Sequence, residues 1–235
     1  MVDRSLFLHA EMHKAREFAN RLRDSLPSSV DLAALGVVWS KAPFQFLCTR
    51  EALIWRTEEL ARNACDALER DDLAVAAILI RAITETAALA WKLMELLDTR
   101  QEHSTQELND LLKRLLVGSK KWQAVPQAFQ ILTCIDRMDK KVPGVRESYD
   151  SLSEIAHPNW CGVFGMYSKT DQPQFVTYFG RGLRRTEVTR EMIVHAMLRS
   201  LGLFEHAYNR MSDTMPAFLA ELESIWQDFL SESWS

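Results

Sequence analysis

The chain has few of the residues that interrupt helices and few of those that crosslink small proteins. Only 8 glycines and 7 prolines occur in 235 residues, and they cluster where helices would end. The 4 cysteines are scattered, and the absence of any Cys-x-x-Cys pair excludes a zinc ribbon and a dense disulfide framework. We expect each cysteine to pack as a small apolar side chain in a reducing compartment.

An excess of charge of one sign is also absent, as are long uninterrupted apolar runs. The formal net charge of -4 argues against a dedicated nucleic-acid coat but allows a local basic patch. The N-terminal segment lacks the apolar stretch and cleavage site of a signal peptide. The longest apolar segment, 73–97, contains four charges that a membrane span would not tolerate: Arg81, Glu85, Lys92 and Glu95. The sequence therefore predicts a soluble, cytoplasmic protein with no membrane partner.

Helical periodicity is what the sequence does contain, over most of its length. Ser104 and Glu107 form a capping box before a leucine-rich amphipathic stretch, and Gly118 suits the end of that helix. No internal repeat or linker interrupts the pattern, which indicates a single domain over 1–235. The other helices are predicted at Val2–Leu26, from Pro43 to Leu68, and at 73–98, 123–140, 145–157, 187–211 and 214–230.

The segment from Pro158 to Arg185 departs from this pattern. It contains four glycines and two prolines, and apolar residues alternate in Val163–Tyr167 and Phe175–Phe179 on either side of Thr170–Pro173. Such alternation around a turn predicts an irregular, β-like hairpin at about 160–182. The predicted fold is an all-α bundle of seven or eight helices with this one small hairpin insertion.

Charged residues follow an ordered spacing on the predicted 73–97 helix, which is otherwise apolar nearly all round and should be central. Arg81, Glu85, Lys92 and Glu95 are four, seven and three residues apart, so they form one stripe. The stripe is either a narrow seam facing solvent or the wall of a cleft. In a cleft, Arg81 and Glu85 would be held as a pair, because a lone buried charge is costly.

Three polar residues spaced four apart, Tyr149, Ser153 and His157, lie along one edge of the helix before the hairpin. Pro158 disfavours helical geometry at the preceding residue, so the helix should end at His157. The partial negative charge of a helix C-terminus favours a protonated imidazole, which makes His157 a candidate general acid. Alternatively, His157 caps the last carbonyls of the helix.

Two short motifs resemble sequences of uncharacterised helical families placed near the HEPN superfamily. They are Arg81-Ala-Ile-Thr-Glu85 and Ser153-Glu-Ile-Ala-His157-Pro158, followed by a glycine-rich segment. The resemblance covers roughly residues 75–168. It implies an all-helical, HEPN-like, often dimeric fold. Many HEPN domains are metal-independent ribonucleases of toxin–antitoxin and antiphage systems, so it also implies RNA as a substrate and an antitoxin-like protein as a partner.

The chain departs from the catalytic signature of that superfamily, an arginine followed after four to six residues by a histidine. The nearest arginine before His157 is Arg146, with ten residues between them. The required spacing occurs elsewhere, in two pairs of residues: Arg190 with His195 and Arg199 with His206.

A ribonuclease site can nevertheless be written from the residues that carry the resemblance. Arg81 would bind phosphate and Glu85 would orient it, while His157 would act as acid or base with Tyr149 and Ser153 in support. The competing hypothesis is a non-catalytic helical binding or dimerisation module, in which the same residues form a structural polar network.

The hairpin segment is a second candidate site, because its aromatic residues are interleaved with arginines. Stacking and phosphate contact with single-stranded nucleic acid would use Tyr167, Arg181, Arg184 and Arg185. Alternatively, the aromatics pack the hairpin onto the bundle and the arginines are solvated. A di-iron site would need a second Glu-x-x-His motif besides Glu154 and His157, and cofactor-binding signatures are absent. No metal or cofactor is therefore predicted.

Overall fold

The computed structural model describes residues 4–31, 33–35, 40–184 and 186–233. This part of the chain contains eight α-helices and one two-stranded hairpin. The helices are α1 Arg4–Asp24, α2 Ala42–Glu69, α3 Leu73–Asp98, α4 Thr105–Val117, α5 Ile131–Lys141, α6 Val145–Ala156, α7 Gly165–Tyr167 and α8 Thr186–Ser233. The strands are β1 Ser168–Asp171 and β2 Val176–Phe179. The predicted all-α bundle with one small hairpin is confirmed.

The central element is α3, which packs against α2 and α8 and also against α5 and α6. Ile80, Ile83 and Leu93 of α3 are fully buried together with Phe204 of α8. The residues of the predicted charged stripe are only partly buried, so α3 keeps a narrow seam that reaches solvent. Length and composition alone would let α3 cross a membrane, but 56% of its most apolar window is buried inside the fold, as in a core helix.

The predicted capping box of α4 is confirmed. The Ser104 hydroxyl accepts a hydrogen bond from the Glu107 N–H at 3.2 Å, and Glu107 Oε2 accepts one from the Ser104 N–H at 2.9 Å. The helix ends at Gly118, as predicted. A Cβ at this position would lie 2.1 Å from the carbonyl oxygen of Arg114. Only glycine permits this approach.

The helix predicted at 123–140 is wrong in its first part, because α5 begins only at Ile131. Residues 118–130 form an irregular segment in which the Ser119 N–H donates to the Pro126 carbonyl at 2.9 Å and the Ala128 N–H donates to the Ser119 carbonyl at 3.3 Å. Pro126 disfavours helical geometry at the residue before it, so the apolar spacing there does not produce a helix.

The two helices predicted at 187–211 and 214–230 are one continuous helix, α8, with Pro216 inside it. Ser212 and Thr214 donate their hydroxyls to the carbonyls four residues earlier, at 3.4 and 2.9 Å. Their side chains therefore fit the helix instead of breaking it. Met215 and Phe218 continue the buried face beyond the predicted break.

The predicted hairpin exists, but its first strand is placed wrongly. Val163–Tyr167 belongs to helical turns. The Asn159 side-chain oxygen accepts a hydrogen bond from the Gly162 N–H at 3.1 Å, and the Asn159 backbone carbonyl accepts one from the Val163 N–H at 3.0 Å. These bonds begin a π-helical turn, Trp160–Phe164, which α7 continues. The strands pair with Ser168 opposite Phe179 and Asp171 opposite Val176, so Thr170 and Asp171 lie in β1 and not in the turn.

Candidate functional site

Three of the predicted site residues form one hydrogen-bonded network between α3 and α6. Arg81 Nη2 donates to the Tyr149 hydroxyl at 2.9 Å, and that hydroxyl donates to Glu85 Oε1 at 2.9 Å. Arg81 and Glu85 also form an ion pair of 3.3 Å along α3. The spacing of four residues on α3 produces the ion pair, and the packing of α6 on α3 brings the phenol between the two charges.

This network lies at the edge of the core. Tyr149 is only 3% exposed, whereas the side chains of Arg81 and Glu85 are 32% and 27% exposed. Burial raises the pKa of the Tyr149 phenol, the hydrogen bond from Arg81 lowers it, and the hydrogen bond to Glu85 raises it. The Arg81 guanidinium also lies 5.1 Å from the centroid of the Tyr149 ring. The charges of Arg81 and Glu85 are therefore paired and bridged by the phenol, while Arg81 Nε is buried without a described hydrogen-bond partner.

The other two residues of the predicted catalytic set do not join the network through their side chains. Ser153 donates its hydroxyl to the carbonyl of Tyr149 at 2.9 Å, a bond within α6. His157 ends α6 and is exposed, and its described hydrogen bonds are all of the backbone. Its N–H donates to the Ser153 carbonyl at 3.0 Å, and its carbonyl accepts from the Asn159 N–H at 2.8 Å. Tyr149 and His157 are separated by eight residues of chain, which corresponds to a helical rise of about 12 Å. The structure thus brings Arg81, Glu85 and Tyr149 together without the His157 imidazole.

The predicted nucleic-acid-binding residues differ in whether other residues of the fold already bind them. Tyr167 is exposed. Arg181 pairs with Asp72 at 2.6 Å, and Arg184 donates to the Ser168 carbonyl at 2.6 Å while its guanidinium lies over the Trp160 ring. Arg185 lies outside the described residues. The two described arginines therefore already have partners in the fold.

The aromatic side chains of the hairpin region are largely exposed. Phe175 is 94% exposed, Phe179 75% and Trp160 62%. The hypothesis that these aromatics pack the hairpin onto the bundle is therefore wrong for these three residues. Phe175 and Phe179 lie four residues apart on one arm of the hairpin, and exposed apolar side chains on one element favour a contact surface.

A second arginine–glutamate–tyrosine network, between α2 and α8, was not predicted. Arg50 pairs with Glu51 and with Ser212, and the Tyr208 hydroxyl donates to Glu51 Oε2 at 2.7 Å. The Arg50 guanidinium lies 3.6 Å from the centroid of the Tyr208 ring. Only adjacent charges at Arg50 and Glu51 mark this site in the sequence, because Tyr208 is 157 residues from Glu51.

The largest of the described cavities was also not predicted. It measures about 910 Å³ and lies beside the second half of α3, against α4, α5 and the irregular segment 118–130. Lys92 and Glu95 of the charged stripe line it, whereas Arg81, Glu85, Tyr149 and His157 do not. Among the residues that the structure describes, no group of three His, Cys, Asp or Glu side chains is placed to hold a metal ion.

No family model, curated protein or solved structure matches the chain. The resemblance to HEPN-like helical families therefore stays a prediction, carried by the two short motifs at Arg81–Glu85 and Ser153–Pro158.

Proposed function

We propose that the protein is a non-catalytic helical binding and dimerisation module whose contact surface is the outer edge of β2. The observation that carries this proposal is the exposure of the hairpin aromatics, with Phe179 at 75% and Phe175 at 94%. Two large apolar side chains this exposed on one arm of the hairpin favour an interface with another protein chain.

The polar network on α3 supports a structural role. Arg81, Glu85 and Tyr149 are one another's partners, and the same combination recurs between α2 and α8 at Arg50, Glu51 and Tyr208. A combination that appears at two separate helix contacts is expected of helix packing rather than of one reaction centre. Neither network lines any of the four described cavities.

The occupant that suits the β2 edge is a second copy of this chain. β2 pairs only with β1 in the described sheet, so its outer edge keeps unpaired backbone groups. The strand has no charge and no proline, the two features that commonly protect an edge from pairing. A two-stranded hairpin alone is marginally stable in water, and a four-stranded sheet across two copies would be more stable.

The side chains of β2 match an antiparallel copy of themselves. With a two-fold axis at Thr177, Val176 lies opposite Tyr178 of the second copy, which is a β-branched residue facing an aromatic one. Such cross-strand pairs contribute about 0.2–1 kcal/mol each. Phe175 and Phe179 then flank the new strand pair and lose exposed apolar surface.

RNA fits this surface less well than protein does. Arg181 is paired with Asp72 and Arg184 with a backbone carbonyl, so few free cations remain beside the aromatics for phosphate contact. Asp71 and Asp72 line the cavity next to Tyr167 and pair with Arg190 and Arg181, so those arginines are not free for phosphate contact.

The oligomeric state tests the proposal. Analytical ultracentrifugation of the wild-type chain should give twice the monomer mass of 27.0 kDa, and Tyr178→Lys should give the monomer. Trp122→Lys is the matched control, because Trp122 is also an exposed aromatic residue, in the irregular segment 118–130. A monomeric wild type at about 100 μM, a concentration above the dissociation constant of most specific dimers, would contradict the proposal. A dimeric Tyr178→Lys would contradict it as well.

Ribonuclease activity is the second candidate function, and one observation favours it. The His157 imidazole is exposed at the C-terminus of α6 and makes none of the described hydrogen bonds or ion pairs, so it is accessible to a substrate. Single-stranded RNA incubated with the protein and a chelator should stay intact under the leading proposal. Cleavage that His157→Ala abolishes without a change in the circular dichroism spectrum would favour the second candidate instead.

A further inference from the structure

A cavity beside the second half of α3 has the size and charge of a small-molecule site. Its volume of about 910 Å³ falls within the range of ligand pockets, and it is lined by both charged and apolar side chains. We propose that this cavity binds a small organic phosphate of about mononucleotide size. The proposal is independent of the β2 contact surface, because no residue of the hairpin lines the cavity.

Lys92 is the first observation that points to an anion. It belongs to the central helix and is partly buried, yet within the described residues no carboxylate lies within ion-pair distance of its ammonium. Its nearest described partner is the ring of Phe129, whose centroid is 6.0 Å from Nζ. Burial and, second, the charge of Arg137 lower the pKa of Lys92. A cation in this position is costly to keep unless it has a further partner.

Two arginines extend the positive wall around Phe129. The Arg114 guanidinium lies 4.1 Å from the Phe129 ring centroid and donates through Nε to the Gln127 carbonyl at 3.0 Å, which fixes its plane. Within the described part of the chain, Arg137 makes only a long ion pair, 3.9 Å, with Glu95. Guanidinium groups with free N–H donors recognise phosphate oxygens in a planar, two-pronged geometry.

Two of the three carboxylates that line the cavity, Glu95 and Asp98, already have partners, and the third, Glu102, is exposed. The cationic side chains in the lining outnumber them: Lys92, Arg114, Arg137 and Lys141. Glu95 accepts from the Trp91 indole N–H at 3.2 Å in addition to Arg137, and Asp98 pairs with Arg210 at 3.3 Å. Their remaining lone pairs can accept hydrogen bonds from hydroxyl or amino groups on the ligand. A phosphate joined to a hydroxylated or amino-bearing group therefore matches both the cationic side chains and the carboxylates of the cavity. The volume is too large for a phosphate ion alone.

Isothermal titration calorimetry with the four ribonucleoside 5′-monophosphates tests the proposal. At least one of them should bind, while adenosine, inorganic phosphate and succinate should bind more weakly by about tenfold or more, because each lacks part of the match. Lys92→Met should weaken binding of the best monophosphate by about tenfold, since a charge-assisted hydrogen bond is lost. Lys113→Met is the matched control, because Lys113 is exposed on α4 and does not line the cavity.

Arg137→Gln is a second variant, on an exposed residue, and should weaken binding in the same direction if Lys92→Met proves unstable. The absence of binding for all four monophosphates would overturn the proposal. Binding of adenosine, phosphate or succinate as tight as that of the best monophosphate would also overturn it. So would equal affinities of Lys92→Met and Lys113→Met, with the melting temperatures showing that both are folded.

Discussion

Tyr149 and Tyr208 each place a phenol beside an arginine and a glutamate at a contact between two helices. In each network the hydroxyl donates to a glutamate, Glu85 or Glu51, and the arginine guanidinium lies over or beside the ring. A partly buried carboxylate and guanidinium need such additional hydrogen bonds, because their mutual attraction alone does not offset the loss of hydration.

Replacement of Tyr149 by phenylalanine tests this role at the level of one atom. The change removes the hydroxyl that bonds Arg81 and Glu85 and leaves the ring in the core. We expect the free energy of unfolding in urea to fall by about 1 kcal/mol, the usual contribution of a satisfied hydrogen bond. Tyr167→Phe, at an exposed tyrosine outside β2, is the control. Equal stability of the two variants would mean that the network does not stabilise the fold.

Alkaline pH should weaken the contact between α2 and α8. Burial and the hydrogen bond to Glu51 raise the pKa of Tyr208, so the folded state holds this proton more tightly than the unfolded chain. The stabilisation is fully present below the unfolded pKa of about 10 and is lost as pH rises toward the folded pKa. The free energy of unfolding should therefore begin to fall near about pH 10 and keep falling as pH rises further.

Tyr208→Phe isolates this contribution, because every other group that titrates in that pH range is retained. The variant should be less stable than wild type at pH 8, and the difference between the two proteins should shrink as pH rises above about 10. A difference that stays constant across the range would show that Tyr208 does not carry this pH dependence.

Whether the contacts of a residue could be predicted depended on how close its partners lie in the sequence. Arg81 and Glu85 are one helical turn apart, so their ion pair could be predicted from the spacing. Tyr149 was assigned to the same site through a motif, but its bonding between the two charges required the packing of α6 on α3. Tyr208 and Glu51 are 157 residues apart, and no local pattern relates them.

At the scale of single elements, helix α4 depends on its first residues. Its N-terminal amides would be unsatisfied without the Ser104 side chain, and Ser104→Ala should lower the free energy of unfolding by about 1 kcal/mol. Hydrogen exchange should accelerate at the first amides of α4. Thr105→Ala, one residue further on, should leave exchange unchanged. Protection retained in Ser104→Ala would show that Glu107 or water suffices as the cap.

Helix α8 lacks one backbone hydrogen bond at Pro216. Proline has no N–H to donate to the Ser212 carbonyl, yet the helix continues because Met215 and Phe218 pack into the core on either side. Pro216→Ala restores the missing donor at an exposed position, so the melting temperature should rise in a calorimetric scan. A decrease would indicate that proline itself is needed at this position to seat Met215 and Phe218.

Local bonding also explains which elements could be predicted. Long periodic stretches such as α2 and α3 were identified, because their apolar faces repeat over many turns. The π-helical turn after Asn159 and the segment 118–130 could not be, since each is held by a few specific side-chain and backbone bonds. Those two irregular parts border the hairpin surface and the large cavity respectively, so the sequence was least informative near both proposed sites.

At the scale of the whole molecule, α3 carries both a structural and a binding group of charges. Its first half holds the closed Arg81–Glu85 pair, and its second half presents Lys92 to the cavity. Arg81 and Lys92 are eleven residues apart, which corresponds to a helical rise of about 16 Å. The charged stripe predicted as a single feature therefore divides into two parts, only one of which lines a described cavity.

The proposed dimerisation through β2 would make the stability of the whole molecule depend on its concentration. A folded dimer that dissociates on unfolding is stabilised by mass action, so the wild-type melting temperature should rise as protein concentration increases. Tyr178→Lys places a charge on the β2 edge and should give a melting temperature that does not change with concentration. Differential scanning fluorimetry over a hundredfold dilution, about the range that mass action resolves, distinguishes the two proteins. A wild-type melting temperature as insensitive to dilution as that of Tyr178→Lys would mean that the hairpin edge stays unpaired in solution.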